Sequence, residues 1–152
     1  MYGFLLQSHS IFRWLVLLLL VICLFRSIVS WLRKAQVQKK SDISLNRYLF
    51  VSTHIQFLLG IALYFVSPSV QVSLSNFKMA MKSSYLRFWA IEHPLMMIVS
   101  LVLITIGYMV AKKKALVISK YRSLSIFYFI ALVLILAASP WPFRDAVGRP
   151  WI

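Results

Sequence analysis

Four long runs of apolar residues alternate with short polar and basic stretches, and that alternation predicts the elements. Nearly every position from residue 11 to about 31 is Leu, Val, Ile, Phe or Trp, and comparable runs cover about 48–66, 87–110 and 124–139. A bilayer's hydrocarbon core is ~30 Å thick and takes about 20 helical residues to cross. Each run therefore reads as a membrane helix. Residues 1–10 read as a lead-in in which Ser8 or Ser10 supplies an N-cap. No small-residue cleavage site follows the first run, so it reads as a mature helix rather than a signal peptide.

Between the second and third runs, Leu74, Phe77 and Met81 fall on one helical face and Lys78 and Lys82 on another. This stretch predicts either a short interfacial helix over about 72–82 or an ordered loop. Within the runs, Ser52, Gln56 and Gly60 recur every fourth residue, a small and polar face suited to a close helix contact. Pro94 lies about two turns into the third run, where its missing N–H predicts a kink or loosened pairing around Ala90. The fold class expected is all-α: one integral-membrane domain over residues 1–152, built as a four-helix bundle.

Composition sharpens this picture. Hydrophobic residues make up 61% of the 152 positions, and the mean hydropathy is +0.83. Seventeen Lys+Arg against three Asp+Glu give a net charge of +14. The basic residues lie in the short connections, which argues for topology and anionic lipid headgroups and against nucleic acid. The connection after the first run, with helix-end Arg26 and Arg47, carries six of them, and the connection after the third carries Lys112, Lys113, Lys114, Lys120 and Arg122. The opposite side carries six in all, among them Arg13, Arg87 and Arg144, and the positive-inside rule then sets both termini on the outer, periplasmic side of a bacterial cytoplasmic membrane. Arg13 and Arg26 lie near the two ends of the first run, placed to snorkel to the headgroups. Trp14, Trp31, Trp89, Trp141 and Trp151 fall largely at helix ends, as interfacial anchors do.

The candidate chemistry is sparse. Cys23 is the sole cysteine, which excludes an intrachain disulfide, a thiolate cluster and c-type haem attachment. No paired carboxylates, HExxH motif, phosphate loop or nucleophile–base set is present, so hydrolytic chemistry has no equipment. Met96, Met97 and Met109 read as packing residues. What remains is His9, His54 and His93, with Glu92 beside His93 at membrane depth, where ionisable residues are costly. A neutral imidazole is a good axial ligand for haem iron, and helix bundles hold such ligands on facing helices. Arg13, Arg87 and Arg144 would then meet propionates at the outer edge, and Glu92 would pair with Arg13, Arg144 or His9, or serve only as a structural ion pair.

Depth tests the pairing. At 1.5 Å per residue from the estimated helix centres, His9 lies ~18 Å and His93 ~9 Å to the outer side, and His54 ~4 Å to the inner side. No pair of histidines is level on that reckoning. Two of them also have plainer roles, His54 as a hydrogen-bonding group at a helix contact and His9 as an interfacial residue, whereas Glu92-His93 places two polar groups together beside Pro94.

The segments Ser8-His9-Ser10 with Phe12-Arg13-Trp14, Thr53-His54-Ile55-Gln56, Arg87-Phe88-Trp89-Ala90-Ile91-Glu92-His93 and Pro140-Trp141-Pro142-Phe143-Arg144 together resemble small four-helix bacterial membrane proteins grouped as cytochrome b-like. The resemblance runs over nearly the whole chain and implies a four-helix membrane fold with His9, His54 and His93 as the marked positions. The function expected is haem-b electron transfer within a respiratory or redox membrane complex. Its partners would be the lipid bilayer, other subunits and a quinone. The alternative is a haem-free structural or assembly subunit of a larger complex.

Overall fold

The computed structural model describes residues 1–149; Trp151, expected as an anchor, lies outside them. Its elements are α1 (Tyr2–Leu32), α2 (Lys40–Val66), α3 (Pro68–Ser75), α4 (Phe77–Lys82), α5 (Ser84–Lys113) and α6 (Val117–Ala138). Four of these, α1, α2, α5 and α6, are long and apolar enough to cross a membrane. Large apolar side chains such as Leu18, Phe25, Leu58 and Phe129 stand exposed on their outer faces. That pattern suits an apolar surrounding and would be unfavourable in water.

The helices begin earlier than the apolar runs alone suggest. Residues 2–10 contain no helix breaker stronger than Gly3, so α1 extends back to Tyr2 and the predicted Ser8 or Ser10 cap is not used. His9 thus lies two turns inside a helix. Likewise α2 starts at Lys40, which brings Asp42 into its first turn, where a carboxylate favours the positive end of the helix dipole. The stretch after α2 is two short helices. They break at Asn76, whose side-chain oxygen accepts from the Met79 N–H at 3.1 Å. Val70, Ser73 and Ala80 are its buried residues, whereas Leu74 and Phe77 of the predicted face are exposed.

Helix α1 packs against both α2 and α6, and α6 packs against α5; the seam between α2 and α5 is thinner. The shared core runs from Leu20, Cys23 and Leu24 of α1 and Leu49 of α2 to Ile104 of α5 and Tyr121, Leu124 and Tyr128 of α6. The tightest approach joins α5 to α6 at Gly107, where an added methyl would lie 2.7 Å from Phe127 Cβ. That atom is fixed to the backbone and cannot rotate away. Gly107→Ala is therefore expected to cost about 1–3 kcal/mol through overpacking. A thermal midpoint in detergent equal to the parent's would show that the α5–α6 seam yields freely.

At one end of the core, Arg26 does not snorkel. Its Nε donates to Asp42 at 2.6 Å, and the Tyr121 hydroxyl donates to the other Asp42 oxygen at 2.6 Å. Asn46 adds a bond to the Asp42 backbone carbonyl at 2.7 Å. One carboxylate, 3% exposed as a residue, thereby ties α1, α2 and α6 together.

Candidate functional site: a histidine-lined cavity

Pro94 shapes the other half of the molecule. Lacking an N–H, it cannot pair with the Ala90 carbonyl one turn back. The chain responds with a π turn over Phe88–Glu92, closed by the His93 N–H on the Phe88 carbonyl. Such single π turns recur at functional positions in helices. The freed Ala90 carbonyl instead accepts from the Tyr64 hydroxyl of α2 at 3.2 Å. The loosened pairing expected at Ala90 is thus made good from across the α2–α5 seam. Tyr64→Phe removes that donor and is expected to destabilise the fold by about 1 kcal/mol. Detergent unfolding of the variant beside wild type checks this, and an unchanged midpoint would mean another donor reaches Ala90.

Between α1, α2 and α5, closed at the end by the segment after α6, lies a cavity of about 540 Å³. Its walls are mainly apolar, from Leu17, Phe57, Met97 and Leu101 among others. The polar groups on it include His9 and Arg13 from α1, Gln56 and Tyr64 from α2, Trp89 and His93 from α5, and Arg149. Among the described residues the lining holds two arginines and no carboxylate.

His9 and His93 both line this cavity. The His9 ring lies against Gly60, where an added methyl would sit 3.3 Å from its Cε1. Tyr64, one turn further along α2, bonds Ala90, and Ala90 precedes His93 by about 4.5 Å of helix rise. The depth mismatch expected from the sequence rested on helix starts and centres that the structure moves.

The two rings are held differently. His93 Nδ1 lies 2.8 Å from the Ala138 carbonyl. A carbonyl only accepts, so Nδ1 carries the proton, and in the neutral ring the Nε2 lone pair remains. The carbonyl fixes both the tautomer and the orientation of the ring. Phe88 and Trp89 flank the ring, each with centroids 5.7 Å away. For His9, the Gln56 amide N–H donates to its backbone carbonyl at 3.0 Å and contacts its Nε2 at 3.3 Å. His9 Nδ1, Gln56 Oε1 and Trp89 Nε1 are buried with no hydrogen-bond partner among the described residues.

The remaining sequence candidates fall elsewhere. His54 is not on the cavity; its Nδ1–H donates to the Phe50 carbonyl at 2.8 Å, and its ring lies 4.3 Å from Phe50. Glu92 pairs with Arg87 at 2.6 Å, five residues back across the π turn, rather than with Arg13, Arg144 or His9. Arg144 turns to the end of α6, donating to the Ala137 carbonyl at 2.8 Å and the Ser139 carbonyl at 3.2 Å, and is not on the cavity lining.

Arg149 takes the place expected of Arg144. Its guanidinium lies 4.3 Å from the Trp89 ring centroid and 3.4 Å from the Tyr2 hydroxyl. Nothing in its sequence neighbourhood marks it. For Gln56 the spacing with Ser52 and Gly60 was a signal, and for Trp89 the adjacency to Glu92-His93 was one. Compared with protein families, with characterised proteins and with solved structures, the chain matches none.

Proposed function

We propose that this is a haem-b protein of the bacterial cytoplasmic membrane, folded as a four-helix bundle with both termini on the outer side, that passes electrons within a redox complex. The observation that carries the reading is the placement of His9 and His93 on one apolar-walled cavity. The residues fit the group. His93 has its ring oriented by the Ala138 carbonyl, which leaves the second nitrogen as an iron ligand. Arg13 and Arg149 on the lining would supply positive charge for propionates.

Haem b bound there supplies a one-electron couple that the chain's own side chains lack. Exchange with a quinone and with neighbouring subunits is part of this reading. It agrees with the cytochrome b-like resemblance at His9 and His93, and departs from it at His54, which lies off the cavity. The dithionite-reduced minus oxidised spectrum of detergent-purified protein, expressed with ample haem, tests it. A strong Soret difference with an α-band is expected, and a flat spectrum would end the proposal.

A second reading, a haem-free assembly subunit, draws on the interhelical bonds of the same side chains, Gln56 to His9 and His93 to Ala138. Under it, His93→Gln leaves function intact.

A further inference from the structure

Three of the residues on the cavity lining are exposed: Ile61 (38%) and Phe65 (69%) of α2 and Ile98 (43%) of α5. The other described residues on the lining are buried or half-buried. All three are apolar, and each borders the cavity and the outer surface with the same side chain, so the wall there is one side chain thick. Leu58 and Val102, about one turn away on the same two helices, continue the exposed apolar surface. The seam they flank is thinner than the other contacts between the long helices. It is pinned at two points, by the Tyr64 hydroxyl on the Ala90 carbonyl at 3.2 Å and by the stacked rings of Phe50 and Tyr108, 4.9 Å between centroids. From Phe50 to Tyr64 the α2 axis rises roughly 20 Å, room for the edge of a flat macrocycle, and Ile61 and Ile98 lie between the two pins. The end of the cavity is built differently. Arg149, carried by the segment after α6, lies over Trp89 of α5 at 4.3 Å and 3.4 Å from the Tyr2 hydroxyl of α1. Its backbone N–H donates to the Pro140 carbonyl at 3.2 Å. A polar strap spans two helices there, whereas the α2–α5 wall is hydrocarbon on both sides.

We infer that the cavity is filled from the bilayer, through the α2–α5 seam at Ile61 and Ile98, by haem already dissolved in the lipid phase. This rests on the haem reading and adds to it the route by which the chain acquires the group. A flat, mostly apolar ring system gives up little hydration in passing from lipid into an apolar-walled cavity. Side-chain movements of Ile61 and Ile98 suffice to open a wall one layer deep, while the bridges at Tyr64 and Phe50 keep α2 and α5 in register. A small polar ligand would leave its hydrogen bonds behind in crossing the same wall, which disfavours that class of occupant.

Full-length protein prepared without haem, in phosphatidylcholine vesicles, is mixed with ferric haem, and the growth of the Soret band is followed in time. Ile61→Trp and Ile98→Trp thicken the wall and are expected to slow uptake several-fold. Ile61→Ala combined with Ile98→Ala thins it and is expected to speed uptake. The band should settle at the parent's wavelength in each case, since His93 is untouched. Leu58→Trp, also exposed on α2 but off the lining, is the matched control and should load at the parent's rate. Uptake indifferent to both the tryptophan and the alanine changes would overturn the inference while leaving the haem reading standing, as would slowing by Leu58→Trp as large as that by Ile61→Trp. No Soret band in any preparation would overturn both.

Discussion

Replacing His93 with alanine is expected to abolish stoichiometric haem retention, seen as loss of the Soret and α-bands from purified protein. His93 is the histidine whose ring is oriented from a second helix, by the Ala138 carbonyl at 2.8 Å, and whose Nε2 remains for iron. Losing that bond by itself costs only about 1 kcal/mol, so the variant should still fold. Its absorption should then return when imidazole is added during haem loading, since the cavity left by the ring admits it. His54→Ala is the matched control. His54 is off the cavity and bonded within its own helix, so its loss should leave the spectrum unchanged. If His54→Ala bleached the protein and His93→Ala did not, the cavity would not be the haem site.

The largest stability effect should come from the opposite end of the core. Asp42→Ala removes the one acceptor shared by Arg26 Nε and the Tyr121 hydroxyl, both 2.6 Å away. Breaking a buried pair by removing one partner costs about 3–5 kcal/mol, because the other charge is stranded. The Arg26 side chain is 37% exposed and can turn toward polar surroundings, which puts the expected loss near about 3 kcal/mol. Tyr121, 1% exposed, cannot turn away in that manner. Asp42→Asn keeps an acceptor oxygen and should lose less. Denaturation in mixed micelles, monitored by circular dichroism, ranks the three proteins. An Asp42→Ala midpoint within error of wild type would mean that this carboxylate does not hold α1, α2 and α6 together.

The two predictions lie on either side of what could be read from the residues in order. The four long helices were legible, because an apolar run of the needed length is a local property that requires no knowledge of neighbours. Pro94 was legible for the same reason: its missing N–H acts on Ala90, one turn away in the same chain. The Ser52, Gln56 and Gly60 spacing announced a contacting face, and Gln56 and Gly60 do meet His9. A structural ion pair at Glu92 was among the expectations, but its partner Arg87 was not, because the π turn re-aims side chains that ideal helical spacing would set apart.

Helix starts were not legible, since α1 and α2 extend through polar or mixed residues that hydropathy discounts. Each misplaced residue moves a side chain about 1.5 Å along the axis, enough to upset any depth comparison between histidines on different helices. The sequence by itself thus determined an all-helical chain with four apolar spans and few sites for chemistry. Only the tertiary structure decided that His9 and His93, not His54, share a cavity, that Arg149 rather than Arg144 reaches it, and that Asp42 is buried between three helices. Those choices depend on contacts such as Gln56 with His9, 47 residues apart, and Tyr121 with Asp42, 79 apart. Periodicity along one helix does not encode which face of a distant helix will meet it; packing of the whole chain does.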